Sequence, residues 1–251
     1  MTLFPIAKIN IGLNVVSKRE DGFHNISTLF YPVNSLHDEL TIDRSDVFRF
    51  DGRIDWPVEK ELCVRAFRLM QEKYGIDNVS ISLKKFIPVG AGLGGGSSDA
   101  AYTIKGLNEL FKLGLSDEDM LEVAGQIGSD CPFFIKGVAQ WGEGRGDELS
   151  LSSANLEDYK IVVKIPKGVS VNTAQAYAKV IPQYRSPSIR EIVTTMKIED
   201  WKKCLFNDFE STVFSDYPQI EALKKEMYDE GALYASMSGS GAAVFGIFDK
   251  Y

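Results

Sequence analysis

Between residues 88 and 98 the chain reads Pro88-Val89-Gly90-Ala91-Gly92-Leu93-Gly94-Gly95-Gly96-Ser97-Ser98, with five glycines in seven consecutive positions. Ahead of it, Val79 to Leu83 alternates as a short strand. Behind it, Ala101, Ile104, Leu107 and Phe111 fall on one stripe of a helix that begins at Ser97. A strand-to-helix turn this dense in glycine constrains the chain more than any other feature. Backbone without Cβ atoms can turn left-handed and bring its N–H groups close to an anion. The helix that follows aims its unsatisfied N–H groups and positive dipole end at the same point. Ser97 and Ser98 add hydroxyls where a phosphate oxygen or Mg²⁺ could sit. The segment predicts a polyphosphate cradle. It is not the lysine-bearing loop G-x-x-x-x-G-K-[ST], because Ser97 follows Gly96. Gly90-Ala91-Gly92-Leu93-Gly94-Gly95 does satisfy G-x-G-x-x-G, so dinucleotide binding stays open as a weaker alternative. Such a loop is expected early in a β-α-β run, and this one is not so placed.

Upstream, residues 6–16 alternate with a period of two, which predicts a strand. Ile9, Ile11, Leu13 and Val15 form its apolar face, while Lys8, Asn10 and Asn14 form the other. Leu62, Ala66, Phe67, Met70 and Tyr74 predict an amphipathic helix over 59–74. Ser116, with Asp119 three residues on, predicts the start of a third helix, which ends near Ile127 with Gly128 placed to close it. Beyond Gly142-Glu143-Gly144-Arg145-Gly146-Asp147 the texture changes. A strand over 159–165 is followed by expected helices at 173–180, 189–196, 201–214 and 220–228. Strands at 232–236 and 243–248 flank Met237-Ser238-Gly239-Ser240-Gly241. Strands and helices mix without strict alternation, which predicts an α+β protein divided near residue 150.

Composition narrows the function classes. Apolar residues make up 44% and charged residues 25% of 251 residues, an ordinary globular mixture. A net charge of −7 disfavours nucleic acid as a partner, since duplex binding needs clustered Lys and Arg. No apolar run reaches the roughly 18–20 residues that span a bilayer, and Met1 to Pro5 lacks a basic segment followed by an apolar signal core. A cytoplasmic location, no membrane partner and no nucleic-acid partner are therefore expected. Cys63, Cys131 and Cys204 lie far apart with no C-x-x-C, and the two histidines are His24 and His37. Reduced thiols and no dedicated metal site are expected.

Pro88 to Ser98 resembles the phosphate-binding motif of the GHMP kinase superfamily, typified by galactokinase, homoserine kinase, mevalonate kinase and phosphomevalonate kinase. Further segments resemble one branch of it. They are Ala7-Lys8-Ile9-Asn10, Asp21-Gly22-Phe23-His24 with Thr28-Leu29-Phe30, and Ile127-Gly128-Ser129-Asp130-Cys131-Pro132-Phe133-Phe134. Gly168-Val169-Ser170-Val171-Asn172-Thr173 and Ser238-Gly239-Ser240-Gly241 match as well, so the resemblance runs from Lys8 to Phe248.

The resemblance implies a two-domain fold. An N-terminal ATP-binding domain of ribosomal protein S5 domain 2-like type is expected over residues 1–150, and a ferredoxin-like α/β sandwich over 151–251. It implies ATP as co-substrate, with Mg²⁺ accompanying it. The expected acceptor is the 2-hydroxyl of a cytidine diphosphate conjugate of methylerythritol, in the non-mevalonate route to isoprenoid precursors. The family's catalytic pair falls on Lys8 and Asp130. Read without the family, Lys8 is a solvated strand charge and Asp130 a cap or turn former. Asn10, His24 and Thr173 match substrate contacts, while Phe23 and Tyr177, with Phe30 nearby, match rings that enclose the cytosine. Phe23 stands where Tyr is common, Asp99 where some members have Asn, and Glu61 where an Asn often precedes the adenine-side helix. Another GHMP kinase, of homoserine or mevalonate type, is the first alternative; an inactive nucleotide-binding sensor is the second. A monomer or a homodimer would fit.

Overall fold

Alternation along the first long strand drives Ile9, Ile11, Leu13 and Val15 inward, each 3% exposed or less. The computed structural model describes residues 1–250 and extends that strand two residues beyond the alternating stretch. Chain order is β1 (Thr2–Leu3), β2 (Ile6–Lys18), β3 (His24–His37), β4 (Glu39–Arg44), β5 (Arg49–Gly52), α1 (Leu62–Tyr74), β6 (Val79–Lys84), α2 (Gly95–Phe111), α3 (Asp117–Ile127) and α4 (Cys131–Lys136). It continues with β7 (Gln140–Glu143), β8 (Glu148–Leu151), β9 (Tyr159–Lys164), α5 (Thr173–Lys179), α6 (Ile189–Thr195) and α7 (Ile198–Trp201). The last elements are α8 (Glu210–Asp216), α9 (Pro218–Asp229), β10 (Tyr234–Met237) and β11 (Val244–Asp249). The mixture is α+β.

The chain forms two units that interleave in sequence. Unit 1 takes Met1–Ala7, Pro32–Val89 and Gly94–Val138; unit 2 takes Lys8–Tyr31, Gly90–Leu93 and the residues from Ala139 on.

In unit 1 the strand order is β1-β4-β6-β5, with β4 antiparallel and β5 parallel to β6. Helix α1 buries Cys63, Val64, Ala66, Phe67 and Met70. Its first amide is capped by the Glu61 side chain, and Gly75 closes it in the left-handed region. Helix α2 lies so close to the sheet that a Cβ on Gly106 would stand 2.7 Å from Leu3 Cδ1 and 3.0 Å from Ile42 Cδ1. Ser116 and Asp119 cap α3 reciprocally, as their spacing predicts.

In unit 2 the strands order as β10-β11-β9, all antiparallel, and the sheet β2-β3-β7-β8 contributes most of its length. Leu13, Val15 and Ile26 of β2 and β3 share one core with Phe209, Val213, Ile220, Met227, Met237 and Val244. The expected helix over 201–214 is two helices, α7 and α8, separated by a break. Asn207 and Asp208 impose it: Asn207 Nδ2 donates to the Met237 and Gly239 carbonyls, and Asp208 Oδ2 accepts from the Val15 amide. Side chains already bound to distant backbone hold their own backbone out of the helix.

Candidate active site

The polar face of β2 is buried, not solvated. Lys8 is 4% exposed and Asn10 1%. Lys8 Nζ donates to Asn10 Oδ1 at 2.6 Å and to the Gly92 carbonyl at 3.0 Å, and it stands 5.3 Å from the Phe30 ring centroid. Asn10 Nδ2 donates to Thr28 Oγ1 at 3.1 Å, and that hydroxyl donates to the Gly12 carbonyl. Ser238 Oγ accepts from the Asn10 amide at 3.3 Å and donates to the Gly92 carbonyl at 2.8 Å. The Lys8 ammonium and the Ser238 hydroxyl thus meet the glycine loop at one carbonyl, that of Gly92. An ammonium held this way keeps a fixed position, which suits it to face a moving phosphoryl charge.

Within unit 2 the loop segment Gly90–Leu93 docks on the chain around residue 240. Gly92 has a φ of +78°, and a Cβ there would collide with the Ser238 carbonyl. The Ala91 carbonyl accepts from the Ala243 amide at 3.0 Å, and the Leu93 carbonyl from the Lys8 amide at 3.0 Å. Glycine at position 92 is therefore a requirement of close backbone approach.

The substrate candidates of unit 2 divide into clusters. His24 stacks on Tyr177 with centroids 5.1 Å apart, and Tyr177 meets Phe209 edge-on at 4.7 Å. Burial, then the neighbouring Lys18 charge, lowers the His24 pKa below the usual imidazole value, so it is neutral at pH 7. Phe23 is 56% exposed, with the Arg145 guanidinium 5.1 Å over its ring. Thr173 opens α5 behind the Asn172 cap, and its hydroxyl lies 2.8 Å from Ser240 Oγ.

Unit 1 carries the remaining candidates. Gly94, at φ 71°, precedes α2, whose opening turn is Gly95-Gly96-Ser97-Ser98. Ser98 Oγ and Asp99 Oδ1 are buried without a hydrogen-bond partner. Lys85 Nζ bridges Asp38 and Asp99 at 2.5 Å each, while Asp38 Oδ1 accepts from the Phe86 and Ile87 amides, fixing the approach to Pro88. Burial pushes the Asp99 carboxyl up to about 8, with Lys85 pulling the other way. Asp130 stands directly before α4 and does not cap it with its side chain, so an ordinary capping role does not account for it.

Glu61, Cys63 and Asp99 bring their ligand-type atoms within 4.8 Å of one another. This is a poor cage for Mg²⁺, which prefers oxygen ligands. Burial holds the Cys63 thiol well above its usual pKa, Lys85 pairs with Asp99, and Glu61 is committed to Leu62 N and Trp56 Nε1.

The GHMP kinases N terminal domain matches residues 61–138, and the GHMP kinases C terminal domain matches residues 189–251. A 4-diphosphocytidyl-2-C-methyl-D-erythritol kinase of Bacteroides fragilis is 46% identical over 255 aligned residues, covering 99% of this chain and 92% of the relative. The chain belongs to the GHMP kinases. Among them it joins the family of 4-diphosphocytidyl-2-C-methyl-D-erythritol kinases: the protein so named from Cytophaga hutchinsonii is 45% identical, over 99% of this chain and 93% of that one. A crystal structure of 4-(cytidine 5'-diphospho)-2C-methyl-D-erythritol kinase superposes with a TM-score of 0.83 at 32% identity, covering 98% of this chain and 90% of that one. The two-domain α+β fold of GHMP kinases follows. Three residues of this GHMP kinase carry site geometry that the sequence alone left without a role. Asn207 lies in unremarkable local sequence, Ser238 belongs to the matching Ser238–Gly241 segment but carried no assigned role there, and Arg145 sits between two glycines with nothing local to mark its target.

Proposed function

We propose that this GHMP kinase transfers the γ-phosphate of ATP to the 2-hydroxyl of 4-diphosphocytidyl-2-C-methyl-D-erythritol, giving the 2-phosphate. The reaction belongs to the non-mevalonate route to isoprenoid precursors. The carrying observation is the closed network of Lys8, Asn10, Thr28 and Ser238 on the Gly92 carbonyl, in a chain whose relatives of that name align over nearly its whole length. Such a network serves no evident purpose in a surface strand, and it brings a fixed cation to the loop expected to hold phosphate.

Phosphoryl transfer rests on positioning and charge stabilisation, with a nucleophile prepared for attack. In this reading the backbone amides and hydroxyls of Pro88 to Ser98 hold the ATP phosphates. Ser97 and Ser98 would offer hydroxyls to Mg²⁺ bound with ATP, which would neutralise phosphate charge. Asp130 orients the acceptor hydroxyl and takes its proton, and Lys8 faces the transferring phosphoryl group. Asn10, His24 and Thr173 bind the acceptor, and Phe23 and Tyr177, with Phe30, bind its cytosine. A neutral His24 offers one donor and one acceptor, matching an uncharged base edge. Residues 1–150 and 151–251 act as the ATP-binding and C-terminal domains, in a cytoplasmic monomer or homodimer. No helix among the described residues is long and apolar enough to cross a membrane.

The test is a coupled assay of ADP release with the cytidylyl methylerythritol, homoserine and mevalonate as acceptors. Turnover confined to the cytidine compound is expected. Preference for either other alcohol would move the chain to another branch, and nucleotide binding with no turnover on any acceptor would make it a sensor.

A further inference from the structure

The geometry points to Arg145 as a positioning residue for the cytosine end of the acceptor, acting through the ring of Phe23. The inference rests on the reading that Phe23 stacks on that base. Phe23 lies in the turn between β2 and β3, more than half exposed, where packing alone does little to hold a ring. Its backbone is fixed by Asp21 Oδ1, which accepts the Phe23 amide at 3.1 Å. Its ring is covered by the Arg145 guanidinium at 5.1 Å.

Arg145 is itself held in place. Asp147 Oδ2 accepts from both Nε and Nη2, at 3.1 and 3.0 Å, and Asp147 Oδ1 accepts from the Arg145 amide at 3.0 Å. The turn that carries it is drawn beside the β2–β3 hairpin by the Ile26 amide, which donates to the Gly144 carbonyl at 2.7 Å. A guanidinium over one face of an aromatic ring attracts that face and biases the ring's orientation, leaving the other face for a base. The order is then Asp147, Arg145, Phe23, cytosine. Energy from this remote end of the substrate helps place the reacting hydroxyl.

The experiment is a double-mutant cycle of Arg145→Ala and Phe23→Leu in the full chain. Calorimetry reads Kd for the cytidine diphosphate conjugate, and steady-state kinetics reads KM for ATP. Phe23→Leu should weaken the conjugate about tenfold, as expected for loss of a base stack. Arg145→Ala should weaken it about 3- to 10-fold with KM for ATP unchanged, and should add less than twofold in the Phe23→Leu background. A wild-type Kd in Arg145→Ala beside a weakened Phe23→Leu would overturn the role of Arg145 and leave the base stack standing. Multiplying effects would also overturn it, since Arg145 would then touch the substrate directly. An unchanged Kd in Phe23→Leu would remove the base stack itself, and this role with it.

Discussion

At the residue scale, burial separates Lys8 from an ordinary strand lysine. Removing a buried hydrogen-bonded group leaves its partners unsatisfied, at about 1–3 kcal/mol, so Lys8→Met, which keeps most of the volume, is the cleaner probe than Lys8→Ala. Lys8→Met and Asp130→Asn should each lower kcat by about 10²–10⁴-fold, the scale of lost acid–base or charge assistance, with smaller effects on ATP affinity. If both act on one step, the double variant should be little slower than the slower single one. Single-turnover rates check both points, and a near-wild-type rate for Asp130→Asn would remove it as the base. His24 carries a pH signature. Its lowered pKa keeps it neutral at pH 7, and protonation costs it its acceptor nitrogen. KM for the cytidine compound should therefore rise as pH falls below the ordinary imidazole value of 6.5, and His24→Gln should flatten that rise. Stability moves the same way: the unfolded chain takes up the proton first, so the contribution is present above 6.5 and lost as pH falls through the folded value. A pH profile of KM, paired with melts of both proteins, tests this.

At the element scale, the glycine loop is a set of unequal positions. Gly92→Ala would meet the Ser238 carbonyl, which is backbone and cannot step aside, and it would also strain a φ of +78°. Gly95 faces Ile87, with a Cβ only 2.8 Å from Cγ2, so a valine there disturbs the core as well as the loop. A Cβ on Gly96 meets only Leu62 Cδ1, at 3.4 Å. Gly96→Ala should keep its melting temperature within a few degrees and raise KM for ATP severalfold, whereas Gly92→Ala should lower the melting temperature markedly. Melting curves beside ATP titrations separate the two, and equal effects from both substitutions would show that the loop responds as a whole. The loop, β2, α1, α2 and the capped start of α3 were legible in the sequence because glycine density, alternation and capping are local signals. Strands β3 and β4, which belong to different sheets, and the hairpin of β7 with β8 were not, since their apolar alternation is short or interrupted by polar residues. The break at Asn207 was hidden for a related reason. Its cause is a pair of carbonyls about thirty residues away, and no local pattern encodes them. Lys8 shows the same limit: alternation placed it on the right face of β2, but only tertiary packing buries that face.

At the scale of the whole molecule, the interleaving of the two units decides what can be cut apart. Residues 151–250 contain α5 to α9 and β9 to β11, yet their core is completed by Leu13, Val15 and Ile26. Deleting such side chains from a core costs about 1–5 kcal/mol each, comparable in sum to the stability of a domain. A fragment of residues 151–250 should therefore lack a cooperative melt and exchange its amides rapidly. A sharp two-state transition in that fragment would show that the C-terminal half folds without the first strands.

The pairing of Leu13 with the backbone around Asn207 also sets a timetable for the nascent protein. The Leu13 amide reaches the Phe206 carbonyl, and the Val15 amide reaches an aspartate 193 positions downstream. At roughly 5–20 residues per second, the first strand leaves the ribosome about 10–40 seconds before these partners exist. During that interval a long apolar strand stands with its edge groups unmet, the kind of surface that recruits chaperones or other nascent chains. Slowing translation should lengthen that exposure and lower soluble yield, in contrast to proteins whose early segments fold on themselves.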